Sequence, residues 1–431
     1  MSGQAAPGSV RVPDRSRVWA AAGLFAAVLS ALKLLQAARL QNQAYDLGIY
    51  ANVLWNTAHG RWFQDSIKGI DFLGDHFSPG LALLAPLLLA WPRAAALTVA
   101  QSVALALGLP AVHRLAWDRT RDRGAAAAFA LLYAVSPLVH EVSRYDAHAT
   151  AFAVPLLLWG LVLSGRPGLL LLAAAGTLQE DMWLCAAAAA WHRGERRAAS
   201  AFAAAFVAAV AALRVIGGGF TPAHWSFYDP ARVLAGLGSP GRLAGLARLL
   251  VPLGGLPLLG GTDALPLLVP LGYTLLGSNP HQENLTLQYG APLIPFAFLA
   301  AAAGWARLRR RPAAALLVPA LLSLPFLPKY TAAPPPERTA AAAGLFAAIP
   351  GGVPVCASFD LVPPVALREG LRLWARGEDP AGFWIALDAS PFAFRANPRY
   401  ESAVAAFVAA RRDRVVYERD GLYLLRPAAA P

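Results

Sequence analysis

Apolar stretches of roughly twenty residues recur along this chain, each long enough to cross a bilayer as a helix. The first runs from Val18 to about Leu40. It is too long for a signal-peptide core and reads as an uncleaved span. Only 14% of residues are charged and 57% are apolar, against nearer 25% charged in a soluble domain. The expected class is an α-helical polytopic membrane protein with about 10–12 segments, some short or re-entrant. The net charge of +12 is almost all arginine, with Lys33, Lys68 and Lys329 the three lysines. In such a chain the excess marks topology and not a nucleic-acid partner.

The arginines set a topology. Arg11, Arg15 and Arg17 precede the first span, which puts a 1–17 tail in the cytoplasm and the loop 41–80 outside. Further basic clusters lie at 114–123, 166, 193–197 and 307–311. Keeping them all inside makes 77–113 a short apolar run followed by a full crossing. It makes 124–164 and 168–191 hairpins, and 248–276 a third hairpin broken by glycines. Residues 217–247 are expected as a long loop. The polar groups Asp46, Asp75, His76, Asp146, His148, His281 and Glu283 then fall together on the outer side.

The tail differs. A Pro-rich linker at 331–336 leads to an α/β domain at 337–431, expected outside the cytoplasm. Strands are expected at 353–358 and 383–387, helices at 365–375 and 400–411, and a hairpin turning at Arg419-Asp420-Gly421. Neither a phosphate loop nor a dinucleotide fingerprint is present there. Cys185 and Cys356 have no metal-ligand spacing, and no disulfide between them is expected.

The most informative stretch is Tyr45-Asp46-Leu47-Gly48-Ile49, continued to Gly60. It places a carboxylate within a turn of a membrane exit, beneath aromatics that include Tyr45, Tyr50, Trp55 and Trp62. A carboxylate so placed suits a general base, and partial burial raises its pKa usefully. Equally, Asp46 caps an interfacial helix and the aromatics anchor it. Asp75-His76 and Asp146-x-His148 offer oxygen and nitrogen donors, which makes a divalent metal a candidate cofactor. Glu180-Asp181 lies between apolar runs, where paired acids are costly and point to function. Arg144 suits a phosphate, and it suits a solvated surface as well.

The runs Tyr45–Ile49, Leu54–Thr57 with Gly60, and Gly74–Pro79 resemble the bacterial and archaeal membrane family labelled domain of unknown function 2079. Tyr145–His148, Glu180-Asp181, Gln288–Phe296 and the tail motif ending in Leu422–Leu425 follow in the family's order. That layout is similar to the C-type glycosyltransferases, which use polyprenyl-phosphate sugars at the outer membrane face.

The resemblance implies a transmembrane domain over 18–330 in the bacterial inner membrane. It implies Asp46 as catalytic base, with Asp146 as a second acid. Tyr45, Trp55, Asn56, Asp75, His76, Arg144, His148, Glu180, Asp181, His281 and Tyr289 are implied as substrate-binding. Of these, Asp75, His76, Asp146 and His148 are the metal candidates. The expected partners are membrane lipid, a polyprenyl-phosphate sugar and an extracytoplasmic glycan, lipid or protein acceptor. The family's lysine before Glu-Asp is here Gln179, which shifts phosphate binding towards Arg144. The alternative functions are a lipid-linked saccharide flippase or a membrane scaffold.

Overall fold

The computed structural model describes residues 15–219, 223–236, 238–308, 311–328, 336–375, 377–390 and 398–428. The expected N-terminal tail and Pro-rich linker lie almost wholly outside these residues.

Five described helices are long and apolar enough to span a bilayer: Ser16–Ala38, Ala95–Thr120, Arg123–Arg144, Arg196–Ile216 and Leu287–Arg307. Shorter apolar helices cover Pro79–Ala90, Ala149–Val162 and Ala313–Phe326. Leu287–Arg307 is 89% buried and forms the axis of the bundle, whereas Ser16–Ala38 and Arg196–Ile216 are 17% buried. The two peripheral helices present Leu24, Val28, Val207 and Val215 outward. Exposing such side chains to water opposes folding, and exposing them to acyl chains does not. The chain is therefore a polytopic helical membrane protein.

Helix α1 (Arg15–Ala38) leads through a short turn to α2 (Ile49–Ala58). The hairpin β1 (Gln64–Asp65) and β2 (Ile70–Asp71) follows, then the short α3 (Ala85–Ala90). Next come α4 (Ala95–Ala106), α5 (Gly108–Thr120), α6 (Arg123–Ala134) and α7 (Pro137–Arg144). Helix α8 (Ala149–Val162) completes the first expected hairpin. The second is α9 (Gly165–Gly176) with α10 (Met182–His192), its tip at 177–181. Both hairpins agree with the arginine-based reading. The crossing helix α11 (Arg196–Ile216) follows. The expected loop 217–247 contains α12 (Pro230–Ala235) and the start of α13 (Pro240–Leu250), each opened by a proline that fits the first helical turn.

Glycines break 251–267 into short 3-10 turns before α14 (Leu268–Leu276). The tip residue Asp263 pairs with Arg119, and His192 lies 3.3 Å from the same carboxylate. Arg307 donates to the Leu259 carbonyl at 2.9 Å. The basic clusters thus meet at one end of the bundle. The loops at 41–80, 145–148 and 177–181 meet at the other.

The C-terminal part begins with α18, whose number follows α15 (Pro280–Glu283), α16 (Ile294–Arg307) and α17 (Leu317–Ser323); α18 itself is Pro336–Ala348. The strands are β3 (Val355–Ala357), β4 (Leu371–Leu373), β5 (Trp384–Asp388), β6 (Val415–Arg419) and β7 (Leu422–Leu425), with α19 (Pro398–Ala409) before the last hairpin. They form one sheet in the order β4-β3-β5-β7-β6. The β4-β3-β5 pairs are parallel and the β5-β7-β6 pairs antiparallel. The helix expected at 365–375 is corrected to a 3-10 turn at Pro363–Val365 followed by β4. Gly370 lies so close to Pro354 that a Cβ there would come within 2.8 Å, and β3 supplies ladder partners that an isolated helix lacks. Helix α18 was not foreseen. Its Arg338 is 1% exposed and pairs with Asp388 and Asp360 beneath the sheet.

Segment 359–369 rests on the loop after α1. Asn52 on α2 donates to the carbonyls of Ala366 at 3.0 Å and Arg368 at 2.8 Å. Tyr45 packs edge-on against Phe359, and Arg61 reaches Glu369 at 3.4 Å.

Candidate active site

Asp46 sits where the chain leaves α1 and turns into α2. Its backbone (φ 61, ψ −94) breaks the helical turn Ala44–Gly48. That conformation lies near the strained γ-turn region, and holding a non-glycine residue there costs about 1–3 kcal/mol. The surroundings enforce it. The Tyr145 hydroxyl donates to Asp46 Oδ2, and His148 Nε2 lies 3.7 Å from Oδ1. His148 Nδ1 accepts from the Thr150 N–H at 3.3 Å, which leaves the ring proton on Nε2, facing Asp46. Burial pushes the Asp46 carboxyl above its usual pKa, and the Tyr145 hydrogen bond pulls the other way. Burial holds His148 at about 3, so its imidazole is neutral at ordinary pH.

Asp146 stands behind this pair and is 1% exposed. It accepts from the Asn42 side chain at 2.5 Å and the Gln43 N–H at 2.6 Å. Both oxygens therefore hold the turn that presents Asp46. Burial raises its pKa and the Lys33 charge lowers it. Lys33, on α1, donates to the carbonyls of Arg144 and Tyr145. Gln101 accepts from the His148 N–H and donates to the Val142 carbonyl, so α4 fixes the 145–148 tip.

His76 Nδ1 meets Glu180 Oε1 at 3.1 Å, and the Phe77 N–H donates to Oε2 at 3.0 Å. This joins the loop 72–78 to the α9–α10 tip. Gly80 abuts Thr177 so closely that a Cβ would lie 2.2 Å from its hydroxyl. Burial opposes a charge on His76, but Glu180 outweighs it and lifts the pKa to about 9. Lys68 donates to Asp75 at 2.5 Å.

His76, His148, Glu180, Asp181 and Tyr289 line a cavity of about 320 Å³, within the range of small-molecule sites. Phe206 and Val210 of α11 form an apolar wall. Asp46 reaches its edge through His148. The remaining expected residues stand elsewhere. Tyr45 is half exposed against Phe359. Trp55 stacks on His59 at 4.2 Å. Asn56 ties α2 to β1 through the Gln64 carbonyl. Arg144 pairs with Glu141 at 3.2 Å, and His281 bonds Thr286 at the surface.

Gln282, Gln288, Tyr228 and Tyr273 also line the cavity. Uncharged amides and phenols carry little signal of their own in a sequence. The polar run at 278–284 was the one hint.

The four metal candidates do not converge. Among the described residues no group of three or more His, Cys, Asp or Glu side chains is placed to hold a metal. Asp75 is engaged by Lys68, His76 by Glu180 and Asp146 by Asn42 and Gln43.

The family model described as a predicted membrane protein, domain of unknown function 2079, matches residues 36–178 and 198–423. No curated protein matches the sequence. Among solved structures, the chain is similar to ArnT from Cupriavidus metallidurans bound to undecaprenyl phosphate. The TM-score is 0.57 at 13% identity, covering 96% of this chain and 98% of that one. The likeness establishes that the two chains share a fold over nearly their whole lengths.

Proposed function

We infer, from the premise that this chain belongs to the predicted membrane protein family of domain of unknown function 2079, that it transfers a sugar from a polyprenyl-phosphate donor to an extracytoplasmic acceptor. The observation that carries this is the pairing of a strained, buried Asp46 with a cavity that begins at its neighbour His148. The similarity to a structure bound to undecaprenyl phosphate supports the donor class.

The acceptor hydroxyl oxygen attacks the anomeric carbon while Asp46 takes its proton. The bond from that carbon to the phosphate oxygen breaks, and polyprenyl phosphate leaves with the electron pair. Lys68 and protonated His76, whose charges act on Asp46, supply positive potential for the departing anion. Neutral His148 stands 3.7 Å from the Asp46 carboxylate and does not neutralise it. Asp146 is assigned a positioning role, through Asn42 and Gln43. The apolar wall at Phe206 and Val210 on the lipid-facing α11 suits the polyprenyl tail. In this reading the site and the C-terminal sheet face away from the cytoplasm, and the end gathering Arg119, His192 and Arg307 faces it.

The test compares purified wild type with Asp46→Asn, each supplied with radiolabelled polyprenyl-phosphate sugars. Release of polyprenyl phosphate by wild type, reduced at least a hundredfold in the variant, supports transfer. Movement of the lipid across liposomes without donor cleavage by either protein overturns it in favour of a flippase. Cysteine labelling of positions 46 and 263 from opposite sides of the membrane checks the orientation.

A further inference from the structure

A second cavity, of about 480 Å³, lies where the bundle meets the C-terminal part. It shares no lining residue with the candidate active site, and its size is within the range of small-molecule sites. Its walls differ in kind. One is the end of α1, with Leu34, Ala37 and Ala38. That helix faces lipid, and Leu34 and its neighbour Leu35 are 41% and 49% exposed. Trp91 and Arg93, between α3 and α4, form another. Tryptophan and arginine settle where an apolar helix leaves the bilayer, the ring at headgroup level and the cation towards phosphates. The third wall is Phe346 of α18 with Pro363 and Pro364. Asn42 and Leu47 also line the cavity, so it reaches the turn that carries Asp46.

The charges are few. Arg93 is the one cation among the described lining residues. It is exposed, and its guanidinium makes no hydrogen bond or ion pair with any described residue. The one acid there, Asp360, is 1% exposed and lies 3.6 Å from Arg338. Burial and the adjacent Asp388 push its carboxyl well above the usual range, so it keeps its proton and Asp388 meets the Arg338 charge. That cluster sets no net negative charge against an anion. An apolar wall continuous with the bilayer, an interfacial tryptophan and an unpaired cation together match an amphiphile with a negative head.

We propose that this cavity is a binding site for an anionic phospholipid, with its headgroup phosphate on Arg93 and its acyl chains along the end of α1, filling the junction between the bundle and the C-terminal part. The site is distinct from the donor cavity and does not depend on the transfer reading. The lipid touches both halves of the junction, so its binding adds to the stability of the whole chain.

The test uses the full chain, delipidated in a nonionic detergent and titrated with phosphatidylglycerol, phosphatidylcholine or glycerol 3-phosphate. Native mass spectrometry counts bound lipid, and the unfolding temperature reads its effect. Arg93→Gln removes the cation. Ala343→Trp, at an exposed α18 position on the wall, fills the cavity and leaves Arg93 in place. Arg166→Gln removes an exposed arginine that does not line the cavity. Because Arg93 bonds nothing in the protein, its exchange leaves the lipid-free unfolding temperature unchanged, which separates lost binding from lost folding.

Phosphatidylglycerol is expected to raise the wild-type unfolding temperature more than phosphatidylcholine does, and glycerol 3-phosphate to leave it unchanged. Arg93→Gln binds phosphatidylglycerol about fivefold more weakly, the worth of one basic side chain against an anionic lipid, and binds phosphatidylcholine as wild type does. Ala343→Trp loses the lipid-dependent rise, and Arg166→Gln keeps it. Wild-type binding of phosphatidylglycerol in either Arg93→Gln or Ala343→Trp overturns the site. Equal effects of the two lipids on wild type overturn the choice of an anionic head. A rise with glycerol 3-phosphate as large as with the lipid overturns the lipid in favour of a soluble phosphate. A loss in Arg166→Gln equal to that in Arg93→Gln reduces the effect to general surface charge and overturns the site as well.

Discussion

Tyr145 donates its hydroxyl to Asp46 across 99 positions of sequence, from the tip of one hairpin to the exit of the first helix. The same tip carries Asp146, whose carboxylate grips the turn just before Asp46. Two adjacent residues therefore fix the candidate base from two directions, one at its side chain and one at the turn before it.

Removing the first contact has a direction in pH. Burial raises the Asp46 pKa and the Tyr145 bond lowers it, so Tyr145→Phe raises it further. A base works only when deprotonated, and transfer fails as pH falls through its pKa. The acid limb of the rate profile moves to higher pH in the variant, and the rate falls about tenfold or more at neutral pH. A pH series with radiolabelled donor reads both.

The second contact tests positioning against chemistry. Asp146→Asn leaves Lys33 buried at 1% exposure without its counter-charge. Lys33 bonds the Arg144 and Tyr145 carbonyls directly, so Asp146 acts on it as a nearby charge across the buried tip. The expected outcome is a large loss of stability, partly recovered in Lys33→Met/Asp146→Asn, where both charges are gone. Denaturant unfolding of the single and double variants measures the recovery.

His76 and Glu180 couple stability to pH. The His76 pKa rises from 6.5 to about 9, so its contribution is complete below pH 6.5 and is lost as pH climbs through 9. The unfolding temperature of wild type falls over that window. Glu180→Gln removes the partner and flattens the dependence, which a thermal series at stepped pH detects.

The contact between the loop and segment 359–369 is testable by space alone. Gly48 has ordinary helical dihedrals, but a Cβ there would lie 2.8 Å from Val362 Cγ1. Gly48→Ala overpacks the contact, at about 1–3 kcal/mol. Val362→Ala in the same chain opens room and restores most of the loss. A rescue seen by thermal unfolding places the effect at this contact.

The arginines made the bundle legible, since each basic cluster had to share one end. Asp263 meeting Arg119 is where that logic becomes visible in space. Of the polar groups gathered by elimination, Asp46 and His148 meet and His76 lines the same cavity, joined there by Glu180, whereas His281 stays at the surface with Thr286. The amides escaped notice because Gln282 and Gln288 carry no charge, follow no period and gain meaning only when the fold brings them beside Asp181. Asn56 misled in the opposite sense. Its motif suggested a ligand, yet its amide satisfies the Gln64 carbonyl and the Asn52 side chain. The expected helix at 365–375 failed because β3 offered ladder partners that local propensity does not record.

The turn that carries Asp46 is clamped by Asp146 on one side and leaned on by segment 359–369 on the other. Its conformational entropy was therefore surrendered once, when the polypeptide folded. In the transfer reading, an arriving acceptor meets an already oriented carboxylate and loses only its own freedom.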